Sequence, residues 1–350
     1  MDAIASCAFG VDSGSFKHEN LESEFVRVAK KFFQSFLGPK SEIQKVVASL
    51  TPALVKQFIS KSGFKSFAAW PNLNEHCFFQ SVVESTIKHR RQIKEKRNDL
   101  VDMMIDATEE KQSVPKFEEK HDKSDESKSN STEKPKTRPK NIDYDNIIAT
   151  ATMLLLAGYD TTGTTMSYIL YELALHEDCQ EILYEEITNS TNSNKLEYDT
   201  LQSSPYLDMV IHETLRKHPV VATIERVCSK EYKLPNSNLI LKKGDIVRVN
   251  NIGISMDADV FPNPEQWNPD NFSKENRAKR SPYSFMGFSL GPRNCLAMRF
   301  AMFEMKVTVS HIVSKFKILP CDRTSKNIKV DPNSVLGSAK GGLWVKLEKR

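Results

Sequence analysis

The chemistry of this 350-residue sequence is narrowed first by what it lacks. Its six cysteines, Cys7, Cys77, Cys179, Cys228, Cys295 and Cys321, never stand as C-x-x-C, and its eight histidines include no H-x-x-x-H pair. A zinc site or a compact disulfide framework therefore has no suitable ligand spacing. Charge of one sign is not in excess. Forty-nine Lys plus Arg against 45 Asp plus Glu leave +4, so no nucleic acid is expected as a partner. Thirteen glycines and mixed periodicity exclude collagen and coiled coils. There is no Gly-rich phosphate loop and no nucleophile elbow. The longest nearly apolar run, 147–157, is well short of a membrane span. Residues 1–16 lack the basic start and apolar core of a signal peptide.

What is there reads as helices with small sheets at the side. Residues 21–37 carry Phe25, Val28, Ala29, Phe32, Phe33 and Phe36 at helical spacing, closed by Gly38 and Pro39. Aromatic-rich 50–79 reads either as core helices or as a surface that touches membrane or gates a ligand. Residues 74–107 read as one or two long helices with a solvated basic stretch at 88–97. Segment 109–140 differs: nine Lys or Arg and eight Asp or Glu share 32 residues with little apolar bulk beyond Val114 and Phe117. Such a stretch cannot offset its ordering entropy, so a disordered linker is expected. The expected organisation is 1–108, the linker 109–140, and 141–350. In the last region Asp143 or Asp145 caps a long helix ending near His176, and short helical pieces begin at 196–201. A helix over 206–218 stops at Pro219, and 297–316 forms another. Residues 261–272 are rich in Pro, Asn and Trp and read as irregular. Hairpins are expected around Lys242-Lys243-Gly244-Asp245 and around Gly341-Gly342.

The residues that carry chemistry begin with Phe288-Ser-Leu-Gly291-Pro-Arg293-Asn-Cys295-Leu-Ala297. A cysteine leading into a helix sees the positive end of the dipole, which favours thiolate. Gly291 permits a tight turn before it. Arg293 adds a fixed positive charge, and Ala297 is small enough for a flat ligand to lie against the helix. Together they describe a loop presenting a thiolate to a large planar anionic cofactor, and haem with an axial Cys fits.

A second constellation is Ala157-Gly158-Tyr159-Asp160-Thr161-Thr162, inside an otherwise apolar helix. Gly within a helix costs about 1 kcal/mol relative to Ala, which asks for a reason. Thr161 can bond the carbonyl of Ala157 and distort the helix. An acid beside a hydroxyl there makes a pocket for a small polar molecule. Glu213-Thr-Leu-Arg216 places an acid and a base on one helix face. Residues 220–228, after Pro219, read as extended and contain Val221, Ile224 and Arg226.

On these motifs the sequence resembles the cytochrome P-450 family of haem–thiolate monooxygenases, continuously from Asp143 to the C-terminus and more weakly over 1–107. The resemblance implies a mainly α fold with small β-sheets and haem b (iron protoporphyrin IX). Cys295 would be the axial iron ligand, held in a loop with Phe288, Gly291 and Ala297. Arg293 and Arg226 would contact the propionates, although a solvated Arg226 on a surface strand is the other reading of that residue. Asp160 and Thr161 would assist proton delivery during dioxygen activation. Ala157 and Leu156 would face haem or substrate, with Val221 and Ile224 in the pocket. Glu213 and Arg216 would form the family's buried pair. Asn271 stands where a third member of that network, an Arg, is expected.

The same resemblance implies insertion of one oxygen atom into a lipophilic substrate, with electrons from NADPH through a flavin-bearing cytochrome P-450 reductase. Cytochrome b5 is a further partner. The implied location is the cytoplasmic face of the endoplasmic reticulum membrane. Gly291-Pro-Arg-Asn-Cys295 and Tyr206-Leu-Asp-Met-Val210 resemble the microsomal branch of drug-metabolising and arthropod detoxification enzymes. Arg299 and Lys306 form either part of a basic face for the reductase or solvated helix charges. Roughly a third of the family's usual length, with its membrane helix and a Trp- and Arg-bearing helix, is expected to be missing from the front. The rival expectations are a non-catalytic truncated fragment and a haem–thiolate isomerase or lyase.

Overall fold

The computed structural model describes residues 2–14, 23–37, 73–93, 96–109, 144–190, 197–332, 334 and 336–350. The region 38–72 and the charged linker at 110–140 lie outside the described residues, as does Asp143. The chain is mainly helical with small antiparallel sheets. It divides into two compact units. One comprises residues 1–32 and 72–157, the other 33–71 and 158–350.

The first unit contains α1 (Asp2–Phe9), α2 (Glu24–Leu37, through Phe32), α3 (Leu73–Ile93) and α4 (Leu100–Glu109). It also holds the first half of α5, Tyr144–Leu175, whose residues fall in both units. Helical spacing in α2 buries Val28, Ala29 and Phe32, and Phe79, Val83 and Ile87 of α3 and Leu155 of α5 are buried in the same unit. Phe25 meets Phe78 and Phe79 edge-on at 5.2 and 6.0 Å. Each such buried side chain contributes about 1.5–3 kcal/mol. Of the one or two long helices expected over 74–107 the structure has two, and the chain turns ahead of the second at Asn98 with φ +56°. Buried Asp102 fixes that turn by accepting the amides of Arg97 and Asn98 and the Arg90 guanidinium.

The second unit is built on the C-terminal half of α5, α6 (Glu177–Ser190), α7 (Tyr198–Gln202), α8 (Pro205–Lys217) and α11 (Met298–Lys315). Two single-turn helices, α9 (Asn251–Ser255) and α10 (Lys274–Ala278), lie between α8 and α11 in sequence. Ile169, Leu173, Leu183, Ile187, Leu207, Ile211, Val309 and Val313 interlock as its core. Buried Gln180 ties three elements together. Its amide donates to the carbonyls of Leu173 and Ile318, and its Oε1 accepts the Ile318 N–H. Glu186 of α6 accepts the N–H groups of Tyr206 and Leu207, putting a negative charge on the positive end of α8.

Three two-stranded antiparallel sheets complete the unit. They pair β1 (Thr223–Val227) with β4 (Ile246–Asn250), β2 (Tyr232–Lys233) with β3 (Ile240–Leu241), and β5 (Phe316–Leu319) with β6 (Lys346–Lys349). This corrects both expected hairpins. Gly244 does turn the chain, at φ +98°, but β3 and β4 on either side of it bond to different strands. Gly341 and Gly342, at φ +82° and +79°, redirect the chain toward β6 rather than joining two strands. Residues 329–331 instead ladder with 338–340. Among the described residues no helix is long and apolar enough to cross a membrane.

Candidate active site

The loop that carries Cys295 is shaped by two left-handed residues, Ser289 at φ +59° and Gly291 at φ +79°. Gly291 adopts that conformation at no steric cost, which is what the sequence pattern asked of it. A 3-10 turn over Gly291–Arg293 follows. The Cys295 N–H then closes the loop on the Phe288 carbonyl at 2.8 Å. Phe288 anchors the other side by packing against the core of the second unit. Cys295 is thereby held on the surface, three residues before α11 begins, with Ala297 as the helix cap.

Arg226 reaches this loop from β1. Its Nη2 donates to Ser289 Oγ at 3.0 Å and to the Arg293 carbonyl at 3.4 Å. Two guanidiniums, Arg226 and Arg293, thus stand at one loop with an exposed thiol. Ser289 is a participant that motif reading missed. A non-glycine residue needing φ > 0 beside the cysteine loop leaves no mark in spacing alone. Val221 is exposed and Ile224 half-buried on the segment that leads into β1 and on β1 itself.

Asp160 and Thr161 lie on α5, which carries Gly158 to Thr162 as unbroken α-helix. The expected distortion is therefore not seen. The Thr161 carbonyl accepts the Thr165 hydroxyl at 2.9 Å, one turn on. Burial pushes the Asp160 carboxyl above its ordinary value. Asp160 lines a cleft of about 310 Å³ with Tyr159, Thr164, Ser338 and Leu343. Leu156 is buried and Ala157 exposed, both in the first unit's part of the helix.

Glu213 and Arg216 are completely buried. The guanidinium grips the carboxylate with Nε and Nη2 at 2.8 and 2.7 Å. Its remaining N–H groups donate to the carbonyls of Ser255, Pro264 and Gln266. All five donors are used, and the segment entering the 3-10 turn Pro269–Phe272 is strapped to α8. Glu213 also accepts the Asn268 N–H at 2.8 Å and Asn271 Nδ2 at 3.2 Å. Asn271 thus joins the network as a neutral donor.

Sequence reading missed the nearby cation. Arg280 donates to the Asn271 carbonyl and stacks over Phe261 and Phe272 at 4.4 and 5.3 Å. Burial lowers its pKa, and the charge of Glu213 opposes that. Lys306 corrects another expectation. It is buried, donates to the Gln202 carbonyl at 3.3 Å and lies 3.6 Å from Asp208, so it is no solvated charge and offers little to a partner. Arg299 alone of that pair is exposed.

Comparison with known proteins decides the family. A family model described as cytochrome P-450 matches residues 1–345. The chain belongs to the cytochrome P-450 family. Probable cytochrome P-450 6a13 of Drosophila melanogaster is 33% identical over 349 residues, 99% of this chain and 63% of that protein. Cytochrome P-450 6k1 of Blattella germanica is 32% identical over 347 residues, 97% of this chain and 62% of that protein. Cytochrome P-450 3A12 of Canis lupus familiaris is 32% identical over 341 residues, with shares of 96% and 60%. The chain thus spans about three fifths of the length of these relatives.

The cytochrome P-450 family implies haem, and the donor set here fits it. One exposed sulfur donor stands with two guanidiniums, suited to iron and to two carboxylates of one planar ligand. Among the described residues, no three His, Cys, Asp or Glu side chains come together to hold a metal ion.

Proposed function

We propose that this chain is the haem-binding part of a monooxygenase that inserts one atom of dioxygen into a lipophilic substrate. The observation that carries the reading is that Arg226 bonds the loop in which Arg293 and the exposed Cys295 stand. Haem supplies the redox chemistry when bound, and the second oxygen atom leaves as water.

The chain supplies the rest. Cys295 would ligate the iron, and its thiolate would donate electron density to it. Arg226 and Arg293 would pair with the propionates. Asp160, part-buried on α5 with its carboxyl pushed up by burial, takes up and passes on a proton that Thr161 positions. Val221 and Ile224 supply apolar surface that excludes water. The Glu213–Arg216 pair keeps the segment before the Cys loop in place.

Two electrons per turnover come from NADPH through a flavoprotein reductase, with cytochrome b5 as a second donor. Exposed Val227, Tyr232, Leu239, Ile240 and Ile246 beside Lys230, Lys233 and Lys242 support contact with an anionic membrane surface. That surface is read as the cytoplasmic face of the endoplasmic reticulum, and the substrates as xenobiotics. The test is turnover of a lipophilic probe with reductase and NADPH. Thr161→Ala is expected to lower product and raise hydrogen peroxide per NADPH consumed. A mutant that kept full product yield and released no extra peroxide would overturn the assigned role.

A further inference from the structure

Three hydroxyls on one face of α5 are occupied by the C-terminal loop. The Thr164 hydroxyl lies 3.4 Å from that of Ser338. Tyr168 donates to the Gly337 carbonyl at 2.7 Å, and Tyr171 to the Ser325 carbonyl at 2.6 Å. The positions 164, 168 and 171 recur at helical spacing and follow Asp160 by one to three turns. The loop they grip is stiff in itself. Lys340 N–H bonds the Lys329 carbonyl, Asp331 N–H the Ser338 carbonyl, and Ser338 N–H the Ser334 hydroxyl.

Tyr168 is braced in turn. Its ring stacks on His218 with centroids 4.2 Å apart and planes 6° from parallel. His218 Nε2 lies 2.6 Å from the buried carboxylate of Glu172, which also holds Lys217 at 3.1 Å. Although burial works against it, hydrogen bonds from His218 and Lys217 hold Glu172 below the usual carboxylate range. Burial pushes the Tyr168 hydroxyl up to about 12, so it stays a donor at neutral pH. Gly337 lies so close to Pro219 that an added Cβ would stand 3.3 Å from the Pro219 carbonyl, and its φ is +63°. The loop at that point has no room to slide.

We propose that Tyr168 is a positioning residue that holds segment 337–343 as a wall over Asp160. Ser338, Ala339, Gly342 and Leu343 form one side of the cleft whose other side is Tyr159, Asp160, Gly163 and Thr164. The wall limits the access of bulk water to the carboxyl, which lines a cleft of about 310 Å³. The functional weight of that shielding rests on the proton-holding role proposed for Asp160, while the shielding itself does not.

The test of the shielding uses the full chain and needs neither cofactor nor turnover; only the proton role is read with haem and reductase. Carboxyl groups are labelled with a carbodiimide and glycine ethyl ester, and hydrogen exchange is followed in parallel. Tyr168→Phe keeps the ring stack and removes only the hydroxyl. It is expected to raise labelling of Asp160 and to speed exchange of the 338–342 amides by roughly three- to tenfold, as loss of one hydrogen bond requires. Labelling of exposed Asp270 should not change. Tyr171→Phe should loosen the backbone near Ser325 and leave Asp160 labelling as it was. Unchanged Asp160 labelling in Tyr168→Phe, with or without faster exchange, would overturn the proposal. If Asp160 labelling does rise but peroxide release with reductase does not, the shielding stands and the proton role of Asp160 falls.

Discussion

Asp160 sits where burial pushes its carboxyl above the ordinary value of 3.8. A raised acid is favoured by the fold while it carries its proton. That contribution is complete below the unfolded value and is lost as pH rises through the folded value. Wild type therefore carries a penalty at neutral pH that an amide does not. Asp160→Asn is expected to melt at a higher temperature than wild type at pH 7, with the difference closing as pH falls toward 4. Thermal melts at several pH values check this. A variant less stable than wild type at pH 7 would show that the charged carboxylate has a stabilising partner. The acid–hydroxyl pair itself was legible in the sequence, since Gly158 interrupts an apolar helix beside it. The wall over Asp160 was not legible, because Tyr168 and Gly337 are 169 residues apart and share no motif.

Among the elements, α8 shows how a short motif becomes architecture. Glu213 and Arg216 are three residues apart, and helical spacing alone puts them on one face. Burial turns a pair worth tenths of a kcal/mol at a surface into one that the fold depends on. Arg216→Ala leaves Glu213 buried without its partner and frees three carbonyls. It is expected to cost about 3–5 kcal/mol in denaturant unfolding. Arg280→Ala should cost less, because Arg280 meets the network through the Asn271 carbonyl and two aromatic faces. Equal stability of Arg216→Ala and wild type would contradict the account. Helices were the legible elements. The periodic residues of α2 and the punctuation of α8 by Pro219 located them to within a few residues. Strand partners were not legible, since β1 pairs with β4 about 20 residues away while nearer segments pair elsewhere. Turn residues mark where a chain bends and leave open which strands meet.

For the whole molecule, Cys295 stands at a loop that draws on distant parts of the second unit. Arg226 comes from β1, 63 residues before Ser289. Phe288 anchors the loop in the core, and the Glu213–Arg216 pair straps the segment before it. Motif spacing singled out Cys295 and Arg293, and the family resemblance added Arg226. The fold adds that Arg226 bonds Ser289 and the Arg293 carbonyl, and that Arg280 lies beside the network that Asn271 joins as a neutral donor. The central claim is that these parts hold haem through a Cys295 thiolate. The most direct test is the reduced, carbon monoxide difference spectrum of the purified, haem-supplemented chain, with Cys295→Ala alongside. The account predicts a strongly red-shifted Soret band in the wild-type chain and its loss in the variant. A wild-type chain without that band, or a band that survives Cys295→Ala, would contradict it.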